Sequence, residues 1–164
     1  MRALSVSRSR TPHARYPDRD ALLLRLQATL DAMPPVAAMG IRIAGYADGT
    51  LRLRAPLAAN VNDKGNAFGG SLASVMTLAG WALVSLRLSQ AGHDAEVYVA
   101  DSSIRYRAPV YADLDASACA APDQDWDGFL ALFDKRGRAR ITVCAQVEDG
   151  AAALEGRFVA LAKG

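Results

Sequence analysis

Apolar and polar positions recur along this chain with two different periods, and the switches between them mark its elements. Leu22, Leu23, Leu26 and Leu30 follow helical spacing and Asp18 stands at a capping position, so residues 18–33 are expected to form an amphipathic helix, stopped by Pro34-Pro35. A strand is expected over residues 39–46. Asp48-Gly49 is a hairpin signal, and Leu51, Leu53 and Ala55 then alternate with Arg52 and Arg54 as in a half-buried strand that Pro56 ends. The period changes again after residue 69. From Gly69 to Leu86 there is no ionisable side chain, and Arg87 is the first. A helix over residues 70–90 is expected, apolar nearly all round and therefore buried nearly all round.

After His93 the pattern is mostly of period two. Residues 96–108 read as a long strand. Tyr98, Ala100, Ser102, Ile104 and Tyr106 fall on one face, with Val97, Val99, Asp101, Ser103, Arg105 and Arg107 on the other. Residues 113–121 are expected as a strand, and residues 125–135 as a short helix or irregular segment around Trp126, Phe129 and Phe133. Lys135-Arg136-Gly137-Arg138 reads as a turn, residues 139–148 as a strand with Ile141, Val143, Ala145 and Val147 inward, and residues 153–162 as the last strand after Asp149-Gly150. Short connections make neighbouring strands antiparallel, so the four strands after the helix are expected as a meander. One strongly apolar helix needs a curved sheet to bury it, which makes the fold class α+β. The helix is long enough to raise a membrane span, but Ser71, Ser74, Thr77, Gly80 and Ser85 dilute it within a strand-rich chain, so a buried central helix is the expectation.

Composition adds modest constraints. At 164 residues, 51% hydrophobic and 22% charged, the chain suits one globular domain, expected over residues 18–164. The net charge of +2 is carried by the start: residues 1–17 hold Arg2, Arg8, Arg10 and Arg15 and no acid, and are expected to be a disordered basic leader without the apolar core of a secretory signal. Cys119 and Cys144 lie in strand-like segments and are expected as buried or half-buried thiols in a reducing cytoplasm. The two histidines, His13 and His93, are far apart, which leaves no spacing for a His-based metal site or a Ser-His-Asp triad. No nucleic-acid or membrane partner is expected.

The candidate chemistry lies in the stretch from Asn62 to Gly70, a glycine-rich turn that feeds the apolar helix. The first backbone N–H groups of a helix lack intrahelical acceptors, and the helix dipole adds positive potential there. Negative charge can therefore sit or develop at this point, and glycines let a ligand come close to the backbone.

Asn62-x-x-Gly65-x-x-Phe68-Gly69-Gly70 resembles the Asn-x-x-Gly-x-x-His-Gly-Gly signature of hotdog acyl-CoA thioesterases, and the order of elements over roughly residues 20–162 is similar to the hotdog fold, an antiparallel sheet wrapped around one long helix. The stretch from Pro56 to Trp81, with Asp101-Ser102-Ser103-Ile104-Arg105-Tyr106 and Pro109, more closely resembles a thioesterase-like domain group also found fused behind acetyltransferase domains. The resemblance implies hydrolysis of an acyl thioester of coenzyme A or acyl carrier protein. It implies no cofactor beyond the coenzyme A of the substrate, and a homodimer, or a tetramer of such dimers, with the site between subunits.

By the same resemblance, Asn62 places the thioester or the attacking water, and the Gly69 N–H polarises the thioester carbonyl. Phe68 stands where many relatives carry His and can only line the pocket, beside Gly70. Thr77 stands where many carry a catalytic Asp or Glu; its hydroxyl can hold a water or satisfy a backbone carbonyl, but is no base unaided. Asp101 is then the best candidate carboxylate, reaching the partner's helix start across the dimer, against a plain salt bridge with the arginines sharing its face. Asp63 is a second candidate, though a loop Asp there also suits turn chemistry. Lys64, Arg105 and Arg107 are candidates for the phosphates of coenzyme A. A dehydratase would want the histidine that Phe68 replaces. A non-catalytic acyl-CoA-binding or regulatory module remains open because the helix carboxylate is missing.

Overall fold

The computed structural model describes residues 18–164; the expected leader over residues 1–17 lies outside the described residues. Helix α1 runs Arg19–Asp31 and presents Leu22, Leu26 and Leu30 to the core. Pro34-Pro35 does stop it, but also begins a second short helix, α2 (Pro34–Ala38), with proline at its first turn, where no amide donor is needed. Strand β1 (Arg42–Ala47) therefore starts later than expected, and the Asp48-Gly49 turn, both residues at positive φ, leads into β2 (Thr50–Ala55). Helix α3 spans Gly69–Gln90, and β3 spans Ala95–Tyr106. Strand β4 (Leu114–Ala120), helix α4 (Trp126–Arg136), β5 (Arg138–Val147) and β6 (Ala152–Ala162) complete the chain. The ambiguous segment over residues 125–135 is thus a helix. Asp125 caps it by accepting from the N–H groups of Asp127 at 3.1 Å and Gly128 at 2.8 Å, and Gly137 closes it in the left-handed conformation. Lys135 and Arg136 belong to that helix rather than to the expected turn.

All strand pairs are antiparallel and form one sheet in the order β1-β2-β4-β5-β6-β3. Here the expected meander needs correction. Only β4, β5 and β6 follow one another; β3 pairs with β6, and β4 pairs with β2. The helix between β2 and β3 crosses the sheet and delivers β3 to the far edge.

Helix α3 packs against five of the six strands and none of its residues is exposed, so the charge-free run is sheet-wrapped, as expected. It is long and apolar enough to cross a bilayer, yet 61% of its most apolar window is buried inside the fold. Its sheet side carries Leu72, Val75, Met76, Ala79, Leu83 and Leu86. Gly70, Ser74, Thr77, Trp81 and Ser85 form a half-buried stripe along the helix, and Trp81 Nε1 donates to the Val97 carbonyl of β3 at 3.1 Å.

The outer face of the sheet is polar. Asp115 on β4 accepts from Arg52 Nη2 at 2.6 Å and Arg54 Nε at 2.9 Å on β2. Burial pushes its carboxyl up, but the hydrogen bonds and charges of the two arginines outweigh this and hold it below the ordinary value. A carboxyl lowered on folding stabilises above its unfolded pKa, about 4, and loses that contribution as pH falls through the folded value. Because both arginines are exposed, Asp115→Asn is expected to cost no more than about 1 kcal/mol at neutral pH. Denaturant melts of both proteins should show that difference flat above about pH 5 and shrinking below pH 4.

Candidate active site

The turn before α3 is built by its own side chains. Asn62 Oδ1 accepts from the backbone N–H of Lys64 at 2.8 Å and of Asn66 at 3.3 Å, and Asn62 Nδ2 donates to Asn66 Oδ1 at 2.9 Å. The Asn62 N–H donates to the Asn66 carbonyl at 2.8 Å, and Gly65 supplies the positive φ the reversal needs. Two backbone bonds then pin the strand into the helix: Ala67 N–H to the Val110 carbonyl at 2.8 Å, and Phe68 N–H to the Asn60 carbonyl at 2.7 Å. Asn60 is itself buried and donates to the carbonyls of Met39 at 2.9 Å and Pro56 at 2.8 Å. Side-chain amides rather than charges therefore fix where α3 begins.

At that beginning, no side chain caps the helix and no acid occupies its first turn. Among the described residues, none accepts a hydrogen bond from the N–H groups of Gly69, Gly70 or Ser71. These are the orphan donors of a helix start, reinforced by the dipole of a 22-residue helix. Two aromatic rings frame them. Phe68 folds back over the first turn so closely that a Cβ on Gly70 would lie 2.4 Å from its ring, so any side chain at Gly70 would push this exposed ring aside. Tyr106, at the end of β3, stands over Gly69 and donates its hydroxyl to the Gly69 carbonyl at 3.1 Å. A cleft of about 380 Å³ opens between the turn and the end of β3, lined among others by Asn62, Asn66, Gly69, Leu72, Tyr106 and Arg107.

The structure brings some of the expected residues to this cleft and leaves others elsewhere. Asn62, Gly69 and Arg107 line it; Phe68 and Gly70 form the adjoining helix start. Thr77 is half-buried two turns further along α3, and its hydroxyl makes no hydrogen bond among the described residues; it is Ser74 that donates back, to the Gly70 carbonyl at 2.8 Å. Lys64 Nζ pairs with Asp63 at 2.9 Å at the tip of the turn.

Asp101 requires a correction. A bulge at Ala100, between the pairs Val99–Phe158 and Asp101–Arg157, reverses the alternation of β3. Val97 and Val99 therefore share the helix side with Ser102, Ile104 and Tyr106, while Tyr98, Asp101, Ser103 and Arg105 face outward. The Asp101 carboxylate forms an ion pair with Arg157 on that outer face. Five residues along the strand separate it from Tyr106, about 16 Å. Arg105 lines a different, outer cleft. Among the described residues, no carboxylate lines the cleft beside Gly69.

Sequence reasoning assigned no role to Tyr106, Asn60 or Asn66. Tyr106 and Gly69 are separated by 37 residues, and only the β3–β6 pairing fixes where the end of β3 falls. Asn66 had a local signal, an amide paired with Asn62 across a glycine-containing turn, whereas the Asn60 amide reaches Met39, 21 residues away.

Comparison with known proteins gives the same picture. A family model described as "Putative thioesterase (yiiD_Cterm)" matches residues 23–162. A putative thioesterase from Shewanella oneidensis is 32% identical, with a TM-score of 0.77, over 87% of this chain and 99% of that one. A protein of unknown function from Chlorobaculum tepidum is 29% identical, with a TM-score of 0.82, over 88% and 97%. A thioesterase from Haemophilus influenzae shares the fold at 17% identity, with a TM-score of 0.61, over 87% and 90%. The α+β architecture, six antiparallel strands around one long helix, is the hotdog fold of these thioesterases.

Proposed function

The chain belongs to the family described as putative thioesterase (yiiD_Cterm), and on that footing we propose that it hydrolyses an acyl thioester of coenzyme A or acyl carrier protein in the cleft beside Gly69. The observation that carries this reading is the open helix start: unsatisfied N–H donors at the head of a long helix, in a cleft floored by Leu72. The thioester carbonyl oxygen accepts from the Gly69 N–H. As water adds to the carbonyl carbon, negative charge develops on that oxygen, where a preorganised donor and the helix dipole stabilise it most. The C–S bond then breaks, the thiol leaves protonated, and the acyl group departs as the acid. Asn62, which lines the cleft and gives only one Nδ2 proton to Asn66, orders the water; Thr77, about 12 Å further along α3, does not reach it. Arg107 at the rim suits a phosphate of the carrier. Lys64, already engaged with Asp63, and Arg105, on the outer face, are less well placed for it. The cytoplasm is the proposed location, where acyl thioesters and free thiols coexist.

Turnover against a panel of acyl-CoA and acyl-carrier-protein thioesters tests the proposal. Binding without release of thiol across the panel would make the domain an acyl-thioester-binding module instead.

The acid at position 101 takes no part in this step. Pairing another strand onto β3 would extend the sheet, and a residue on its outer face would stay there, so a second subunit does not carry Asp101 to the helix side either. Asp101→Asn is expected to change kcat/KM less than about threefold, within the range of a lost surface ion pair. A loss of a hundredfold would return this carboxylate to the mechanism.

The domain works as a homodimer in this proposal. β3 is a 12-residue edge strand with Tyr98, Val99 and Tyr106 exposed, and Phe68 is exposed nearby at the helix start. Unpaired edges of this length and character are covered in stable proteins, and a two-fold axis covers both copies at once. Light scattering is expected to give a dimer mass at micromolar concentration. Val99→Lys, which puts a charge on the helix side of that edge, is expected to shift the protein toward monomer and to lower turnover with it. A wild type that is already monomeric and fully active would exclude the dimer.

A further inference from the structure

The outer face of the sheet carries a chemistry that thioester hydrolysis does not use. Cys119 on β4 and Cys144 on β5 are directly opposed, and both are free thiols. They are also the chain's only cysteines. Cys144 is half-buried, within the expectation of buried or half-buried thiols, but Cys119 is exposed, because odd-numbered positions of β4 face outward. The backbone bond from Ala121 N–H to the Thr142 carbonyl, two residues along the same register, makes Cys119–Cys144 a hydrogen-bonded pair. Such pairs hold their Cα atoms about 5.5 Å apart, inside the roughly 4.4–6.8 Å span that a disulfide bridges. Glu155 continues the row on β6, opposite Cys144. The two thiols sit in an open cleft of about 540 Å³ whose lining includes Arg105, Arg107, Ser103 and Ser117. Arg105 forms no ion pair among the described residues, and Arg107 donates to the Gly150 carbonyl at 3.2 Å. The two guanidinium groups outnumber the single carboxylate of Glu155 in the cleft lining.

We propose that Cys119 and Cys144 form a thiol–disulfide exchange site that takes an anionic low-molecular-weight disulfide and closes to a cross-strand disulfide. The exposed Cys119, as thiolate, attacks one sulfur of the small disulfide. A mixed disulfide forms, and one small thiol leaves with the proton that Cys119 gave up. Cys144 then attacks the Cys119 sulfur, the second small thiol departs with the proton from Cys144, and the cross-strand bond closes. Two protein thiols are oxidised and one disulfide is reduced to two thiols. The order of attack follows from the environments. Burial, then the charges of Glu155, Cys119 and Asp123, push the Cys144 thiol up, so it reacts second, when the mixed disulfide is already beside it. Strand geometry favours an easily reduced bond, because a hydrogen-bonded pair must draw its Cβ atoms inward to close it.

The reduced, folded protein is incubated with oxidised glutathione and followed by intact mass and non-reducing electrophoresis. The expected product is a single chain lighter by two hydrogens, with both thiols blocked to maleimide and restored by dithiothreitol. Cys144→Ser is expected to stop at one stable glutathione adduct, and Cys119→Ser to remain largely unmodified. Arg105→Ala is expected to slow the wild-type reaction with oxidised glutathione about threefold, and not the reaction with the cationic disulfide cystamine. A wild type that keeps two free thiols, accumulates the adduct without closing, or cross-links between chains overturns the site. Equal slowing with cystamine overturns the anionic preference.

Discussion

Gly69→Pro is expected to lower kcat on the best acyl thioester by about a hundredfold to a thousandfold while leaving the fold intact. The substitution removes the hydrogen-bond donor and puts the ring Cδ where the thioester oxygen would sit, so both the donor and its space are lost. Gly69 is the first residue of α3, the helix position that proline favours. The residue before it, Phe68, already has φ −63° and ψ 131°, the extended conformation that a following proline demands. The lost N–H has no acceptor among the described residues, so no structural hydrogen bond goes with it. Gly69→Ala is the matched control. It keeps the donor, and its Cβ would meet Tyr106 at 3.7 Å, an ordinary contact, so it is expected to retain activity within several-fold. The comparison needs kcat, KM, dimer state and melting temperature for both variants. If proline retains full turnover with an unchanged melting temperature, the carbonyl is not polarised at Gly69. If alanine falls as far as proline, space rather than the donor is what the glycine supplies.

The second large effect is on stability. A Cβ at Gly80, midway along α3, would lie 2.6 Å and 2.7 Å from two atoms of the Phe158 ring and 3.5 Å from Val143. Phe158 is completely buried, and on its own strand the ring lies close over Gly156. An aromatic ring fixed on β6 has nowhere to retreat. Gly80→Ala gains about 1 kcal/mol of helix propensity, but forcing a methyl into a filled core costs about 1–3 kcal/mol and more where the neighbour cannot shift. A net loss of about 2 kcal/mol is expected, which lowers the melting temperature of a domain this size by roughly 4–8 °C. Phe158→Leu alone is expected to cost about 1–2 kcal/mol through lost packing. The two changes together should cost less than their sum, because the smaller side chain makes room for the methyl. Strict additivity, or an alanine variant more stable than wild type, would mean that α3 is not seated on this ring.

How much of this was legible in the chain depends on the range of the interaction involved. The helix start was legible because its cause is local: a glycine-rich turn, then eighteen residues without charge, puts α3 within one residue of its expected beginning. The α+β class was legible too, since one apolar helix among amphipathic strands has few ways to be buried, whereas the roles given to Asn62 and Gly69 came from the resemblance of their motif. The strand order was not legible. Periodicity states which face of a strand is apolar, but not which strand lies beside it, so the meander broke where α3 carries β3 across to β6. The bulge at Ala100 left no mark either, since one inserted residue is indistinguishable in the pattern from an irregular alternation. Yet it turned Asp101 away from the helix side and onto Arg157. The sequence by itself determined most of the helices and strands, though not α2, and the glycine-rich start of α3, because backbone conformation, turn chemistry and helix-end electrostatics act between near neighbours. Tertiary structure alone decided that Tyr106 stands over Gly69, that no carboxylate among the described residues lines the cleft, and that two thiols 25 positions apart face each other, because these depend on register across a sheet, set by the packing of the whole core.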